Sequence, residues 1–196
     1  MNPDIRLLST AIRLEPNDRA ALMAYIPGFL SPQECRQVVE LAAGCPEHEG
    51  LVGSDGDKAS IRKSNIRIIL PRPENEWLFA KIEAAALHLN KEYKYDLKGF
   101  YEGMQFATYE RDGHYGWHSD FGRGVYSVRK LSLAIQLSDP SEYEGGEFEF
   151  MASKEPAPKE IGSLIAFPSF LVHRVCPVTR GKRMSLVSWI SGPSFR

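Results

Sequence analysis

The sequence predicts a mainly β fold, a double-stranded β-helix or jelly roll, with supporting α-helices packed outside it. Three observations carry that prediction. From Met104 onward apolar and polar residues alternate with a period of two, in short runs. Glycine and proline clusters punctuate those runs. Helical periodicity is confined to two segments in the first half of the chain. Many short strands after two helices suit a layered sheet fold.

Residues 25–30 read as a strand and turn. Ser31-Pro32-Gln33-Glu34 then reads as a helix start: Ser31 caps, Pro32 takes the first helical position, and Glu34 completes a capping box. Cys35, Val38, Val39 and Ala42 fall on one face, and Gly44 ends the helix. Residues 45–60 are rich in Gly and Asp and read as a loop. Residues 61–70 carry β-branched side chains and predict one strand, which Pro71 and Pro73 break. Asn75 is placed as the cap of a second helix ending near residue 90, with Leu78, Ile82, Ala85 and Leu89 on its apolar face. Further strands are predicted at 104–110, 115–119, 129–138, 146–151, 163–167, 172–176 and 183–190. One domain over 1–196 is expected, with helical support and first strands in 1–98 and the jelly-roll core in 99–196.

The chain has 196 residues, 43% of them hydrophobic, which is enough for one sizeable core. A formal net charge of −1 argues against nonspecific nucleic-acid binding, which needs many phosphate-neutralising cations. No apolar run is long enough to span a bilayer, so no membrane partner is expected. The first residues lack the apolar centre of a secretory signal. Cys35, Cys45 and Cys176 are odd in number and lack CxxC spacing, which supports neither a disulfide framework nor a zinc knuckle. A reducing cytoplasm is expected, and it would also keep iron ferrous.

The chemistry concentrates in His118-Ser119-Asp120, followed far downstream by His173 and then Arg183. Two imidazoles and one carboxylate form the facial triad that suits non-heme Fe(II), leaving the opposite face of the metal open. Of the other histidines, His48 and His88 read as solvated, in a polar loop and on a helix, while His114 lies in the Gly-rich approach to the triad. Alternation puts Arg183, Ser185, Val187 and Trp189 on one face of the last strand, a row with a charged base and an aromatic rim. Ser132, Ala134 and Gln136 share a face opposite the aliphatic row Leu131, Leu133, Ile135 and Leu137, and Gln105, Ala107 and Tyr109 share another. A dicarboxylate entering such a pocket loses its hydration and needs a fixed cation with neutral donors. Arg183 offers a planar fork for it, and Ser185, Tyr109 and Gln136 offer the remaining donors.

These residues resemble the 2-oxoglutarate/Fe(II) dioxygenases of the prolyl 4-hydroxylase-like group. The matching stretches are Tyr109…Gly116-Trp117-His118-Ser119-Asp120, Arg129-Lys130-Leu131-Ser132, Glu144-Gly145-Gly146-Glu147-Phe148, Gly162-Ser163-Leu164-Ile165-Ala166-Phe167, and His173 through Trp189. The resemblance implies iron on His118, Asp120 and His173. It implies that Arg183 binds the distal carboxylate of 2-oxoglutarate, with Tyr109 facing the same co-substrate. Arg62-Lys63-Ser64 is similar to the family's Arg-x-Ser strand at the substrate cleft, which implies that Arg62 contacts substrate or orders the loop, and Trp189 matches a tryptophan near the substrate-facing rim. Gln136 departs from the tyrosine that many prolyl hydroxylases carry there.

The resemblance therefore implies an enzyme that uses Fe(II), 2-oxoglutarate and O2, with ascorbate as an optional addition. It would hydroxylate an unactivated C–H, a prolyl residue of a protein or peptide first, and release succinate and CO2. An aromatic rim of Tyr115, Trp117 and Trp189 would suit a peptide. A free amino acid or small metabolite is the alternative substrate. A non-catalytic metal-binding jelly roll is a third reading, and a zinc hydrolase leaves Arg183 unexplained. The Gly-rich segment 121–128 is either a flap over the substrate or an ordinary connection.

Overall fold

The computed structural model describes residues 17–20, 22–50 and 61–194. Helix α1 (Pro32–Ala43) begins as its sequence predicts. Ser31 Oγ accepts from Glu34 N at 3.2 Å, and the Glu34 carboxylate accepts from Ser31 N at 2.7 Å. Each half of this box satisfies a backbone donor that the first turn would otherwise leave open. Cys35, Val38 and Ala42 are buried beneath the helix.

Helix α2 (Glu76–Tyr93) runs beyond the expected end and stops at Lys94, which adopts a left-handed conformation with φ 56°. Asn75 does not cap it through its side chain, contrary to expectation. Its Oδ1 accepts from Arg72 N at 2.8 Å and its Nδ2 donates to Leu70 O at 2.9 Å. Those bonds close a 3-10 turn, Pro73–Asn75, instead. Ala86, rather than Ala85, is fully buried on this helix.

The loop expected at 45–60 contains a short strand, β2 (Glu47–Glu49), while 51–60 lie outside the described residues. The single strand expected at 61–70 is two, β3 (Arg62–Lys63) and β4 (Asn65–Ile69). They join different sheets, and Ser64 at the break accepts a 2.7 Å bond from Arg62 Nε.

The remaining strands are β1 (Ala24–Ile26), β5 (Gly99–Phe100), β6 (Met104–Tyr109), β7 (His114–His118), β8 (Arg129–Gln136), β9 (Tyr143–Gly145), β10 (Phe148–Phe150), β11 (Leu164–Pro168), β12 (His173–Val175), β13 (Val178–Gly181) and β14 (Arg183–Ser191). The major sheet has the order β1-β11-β8-β14-β6-β4-β2, with β5 paired to β14. The minor sheet is β10-β12-β7-β3, and β13 pairs with β9. All these pairings are antiparallel, giving the double-sheet architecture the sequence predicts. The short strands β5, β9 and β13 carry too few residues to show a period of two.

Strand β8 shows how the layers divide. Leu131, Leu133 and Ile135 enter one core with Val38, Leu78 and Ile82 of the helices. Ala134 faces the other way, into a second cluster with Tyr109, Phe148, Phe150, Phe167 and Val175 between the sheets. Burial of each large aliphatic side chain contributes roughly 1.5–3 kcal/mol. The helices thus back the major sheet, and the inner face is left to form a cavity.

Gly162 ties the two parts together. Its φ is +76°, a side chain there would run into the Leu30 carbonyl oxygen, and its own oxygen accepts from Leu30 N at 2.8 Å. Gly162→Ala is expected to cost about 2–4 kcal/mol of stability. Urea unfolding measures this, and a wild-type midpoint would contradict the role given to Leu30.

Candidate functional site

His118 and His173 come from neighbouring strands. The β7–β12 register sets them directly opposite each other, and their ring centroids lie 4.2 Å apart. Asp120 follows two residues after the end of β7. Its Oδ1 is 3.8 Å from His118 Nε2, and its Oδ2 is 3.7 Å from His173 Nε2. These separations are too long for hydrogen bonds. They fall within reach of two donors that each sit about 2.0–2.2 Å from a shared ion. One donor atom from each of the three side chains lies within 4.8 Å of the others.

The imidazole tautomers follow from the backbone. His118 Nδ1 lies 2.8 Å from Gly116 O, and His173 Nδ1 lies 2.8 Å from Leu171 O. A carbonyl oxygen only accepts, so Nδ1 carries the proton and the Nε2 lone pair faces the centre. Burial, and then the neighbouring His173, push the His118 pKa down to about 4, so the ring is neutral at pH 7. Burial alone would raise the Asp120 pKa. The two imidazoles, the Ser132 hydroxyl and Arg129 outweigh it and hold the carboxyl below its ordinary value. Ser132 Oγ donates to Asp120 Oδ2 at 2.7 Å, and Arg129 Nη1 donates to the Asp120 carbonyl at 3.3 Å. Two imidazoles and one carboxylate, set on one wall of a cavity, fit ferrous iron.

The packing around these rings is aromatic. Phe150 pairs with His173 across β10 and β12, and Phe167 lies 4.7 Å from the same ring. Tyr115 stacks on His118 with centroids 3.4 Å apart, and the Arg62 guanidinium lies 4.5 Å over the Tyr115 ring. Strict alternation would send Tyr115 and His118 to opposite faces. The register shifts between these positions, with three residues of β7 spanning two of β12, and this bulge brings both side chains to one side. No sequence pattern announces that bulge.

Arg183 lies in the same cavity, which has a volume of about 640 Å³. It is 2% exposed. Its Nη2 donates to Gln136 Oε1 at 3.0 Å and its Nη1 to Ser185 Oγ at 3.4 Å, while Tyr109 lies under the guanidinium at 5.4 Å. Its Nε has no partner among the described residues. Nor does any described Asp or Glu form an ion pair with it. Gly146, at φ +63°, allows the arginine stem to pass, since a Cβ there would come within 2.9 Å of Arg183 Cδ. Of the small row on β8, only Ala134 lines the cavity. Ser132 sits behind Asp120, and Gln136 sits behind Arg183 with its amide nitrogen turned to Pro158 O at 3.4 Å.

Arg62 and Trp189 both line the cavity. Trp189 is only 7% exposed and is covered by the Arg129 guanidinium at 3.6 Å. Trp117 stands on the outer side of β7 at 41% exposure, beneath Arg174. The aromatic rim expected from Tyr115, Trp117 and Trp189 is therefore not formed: two of the three are inside and one is outside. Arg129 also makes two bonds to Glu102, at 2.7 and 2.6 Å. Twenty-seven residues separate that pair, and nothing in the spacing links them. In segment 121–128, a 3-10 turn forms at Gly124–Val128, and Phe121, Gly122 and Tyr126 line the cavity. His48 and His88 are exposed.

Residues 104–191 match the model of the 2OG-Fe(II) oxygenase superfamily. A PKHD-type hydroxylase of Synechococcus sp. (strain JA-2-3B'a(2-13)) is 32% identical over 175 residues, which cover 84% of this chain and 76% of the relative. The chain belongs to the 2OG-Fe(II) oxygenase superfamily. Another PKHD-type hydroxylase, from Delftia acidovorans, is 29% identical over 180 residues, covering 86% of this chain and 77% of the relative. A Pseudomonas putida prolyl-4-hydroxylase shares the fold of this oxygenase at TM-score 0.70 and 20% identity, over 89% of this chain and 94% of its own. A Trichoplax adhaerens prolyl hydroxylase, solved with a hypoxia inducible factor peptide fragment, shares it at TM-score 0.71 and 16% identity, over 86% and 83%. The protein is thus a 2OG-Fe(II) oxygenase with the fold of the prolyl hydroxylases, and its family uses Fe(II) and 2-oxoglutarate. Among the described residues, no helix is long and apolar enough to cross a membrane.

A buried guanidinium without an acid destabilises the ligand-free protein. Arg183→Met should therefore raise unfolding stability by about 1–4 kcal/mol when no dicarboxylate is present. Urea titration checks this, and a lower midpoint than wild type would show that Arg183 is already compensated.

Proposed function

We propose that the protein hydroxylates a prolyl residue of a protein or peptide, consuming 2-oxoglutarate and O2 and releasing succinate and CO2. The observation that carries this reading is Arg183, a buried cation without an acid partner among the described residues, in one cavity with His118, Asp120 and His173. A desolvated guanidinium calls for an anion. A dicarboxylate can supply one end to Arg183 and turn the other towards the triad.

In this reading His118, Asp120 and His173 hold Fe(II). The iron, when bound, supplies the activation of O2 that oxidises 2-oxoglutarate and the substrate C–H. The protein's own side chains bind and orient. Ser132 fixes the Asp120 carboxylate, and two backbone carbonyls fix the imidazole tautomers. Arg183 takes the distal carboxylate, with the Ser185 hydroxyl and Tyr109 beside it, while Gln136 orients the guanidinium from behind. Arg62 and Trp189 face substrate from the opposite walls. Arg62 Nη2 and Trp189 Nε1 are buried without partners among the described residues, which leaves each a donor to offer. Ascorbate would act only as a supporting reductant. The whole chain acts as one catalytic domain, since α1 and α2 share a core with β8.

A polypeptide substrate is favoured by the mouth of the cavity. Ile68 and Tyr126 line it and are 36% and 48% exposed, which leaves apolar side chains at its edge for a longer substrate to meet. The PKHD-type relatives are hydroxylases by name, and the structural neighbours named above are prolyl hydroxylases.

Succinate formation should be stimulated by a pool of proline-rich peptides and not by a pool of free amino acids. Mass spectrometry should find one added oxygen in the peptides. Asp120→Ala should abolish turnover with either pool. Stimulation by the amino-acid pool alone would replace the substrate class and leave the metal site standing. Full turnover by Asp120→Ala would remove that residue from the metal.

A further inference from the structure

Arg62 is a second buried cation in the cavity, and no described acid answers it. It is 7% exposed and lines the same cavity as the triad and Arg183. It forms no ion pair with a described Asp or Glu. Arg62 also borders a neighbouring hollow, whose acids are engaged or solvated: Glu110 pairs with Lys182 at 2.9 Å, and Glu49 is exposed.

The guanidinium is fixed before any ligand arrives. Arg62 stands opposite Tyr115 in the β3–β7 register, and its Cζ lies 4.5 Å over that ring. Its Nε donates to Ser64 Oγ at 2.7 Å. Gly50 packs against it, since a Cβ there would come within 2.7 Å of Nε and 3.0 Å of Cζ. All three contacts are uncharged, and Nη2 is buried without a partner among the described residues. A guanidinium held in this way loses little freedom on binding. It carries a desolvated charge that calls for an anion. A peptide carbonyl would satisfy the open donor and leave the charge.

The charges along the walls isolate the same residue. Three arginines and two carboxylates line the cavity with the two imidazoles. Glu102 matches Arg129 through two bonds, at 2.7 and 2.6 Å. A ferrous ion brings two positive charges and 2-oxoglutarate two negative ones, so with Asp120 and Arg183 they cancel. Arg62 alone stays unmatched in the loaded cavity, and the remaining participant is the substrate.

We propose that the substrate brings a carboxylate to Arg62: the peptide that enters the cavity carries an Asp or Glu side chain, or its own carboxyl terminus, beside the target residue. This rests on the polypeptide reading given above and names the chemistry of that peptide. Arg62 then selects among peptides by charge, with a planar fork suited to a carboxylate.

Affinity selection tests this on the full chain loaded with Mn(II) and 2-oxoglutarate, which does not turn over. Proline-centred peptide pools are offered with Asp and Glu, or with Asn and Gln, at the flanking positions. Each pool is made with free and with amidated carboxyl termini, and retained peptides are quantified by mass spectrometry. Wild type should retain peptides that carry a carboxylate by about ten-fold or more over the amidated Asn/Gln pool, which carries none. A preference that survives amidation of the acidic pool assigns the carboxylate to a flanking side chain. Retention that follows the free terminus in both pools assigns it to the chain end. Arg62→Met should retain all pools alike, while Arg62→Lys, which keeps the charge, should keep the preference. Equal retention of all pools by the wild type would overturn the inference and leave the polypeptide reading standing. A Met variant with the wild-type preference would overturn it as well. Retention of no pool by the wild type would remove the polypeptide reading and this inference with it. Thermal melts establish that each variant is folded, and the comparison among pools on the wild type stands without them.

Discussion

His118 and His173 face each other across the β7–β12 ladder, and everything else in the site is arranged around that register. A slip of one residue would turn either imidazole to the far side of the minor sheet. The bulge in β7 accompanies this pairing and brings Tyr115 and His118 to one side, where they stack. Asp120 then needs no strand of its own. It hangs just beyond β7, held by the Ser132 hydroxyl from β8 and by Arg129 from the start of the same strand. The minor sheet supplies the imidazoles, and the major sheet supplies what orients the carboxylate.

Of the buried charges that line this cavity, Asp120 and Arg183 are treated differently. Asp120 is compensated by hydrogen bonds and by two imidazoles poised to share an ion. Arg183 is left short, with an amide and a hydroxyl but no described acid. Such a group weakens the folded state unless ligand arrives. The fold tolerates it because the aliphatic core between β8 and the helices lies on the other side of the sheet and is undisturbed. Function and stability thus occupy opposite faces of β8: Leu131, Leu133 and Ile135 stabilise, while Ser132, Ala134 and Gln136 serve the cavity and the groups behind it.

Much of this was readable from residue order. The capping box at Ser31, the alternation on β8 and β14, and the joint appearance of His118, Asp120, His173 and Arg183 all depend on local pattern, which sequence carries directly. What was not readable depends on geometry between distant segments. The Glu102–Arg129 pair, the β7 bulge and the cover of Arg129 over Trp189 are set by sheet packing. The break at Ser64 also escaped, because the residues on both sides of it favour strands and only the destination sheet differs. Asn75 has the composition of a helix cap, yet its side chain found a better use in closing the preceding turn.

Two imidazoles from adjoining strands and one carboxylate just beyond β7 are placed to hold one ion. Binding of Mn(II), which accepts the same imidazole and carboxylate donors, can be followed by electron paramagnetic resonance on the purified protein. The wild type should take up one Mn(II) per chain. Asp120→Ala and His173→Ala should each weaken that binding by more than about 100-fold, beyond the 10–100-fold typical of losing only an outer partner. Unchanged binding in either variant would contradict the account and place the metal elsewhere.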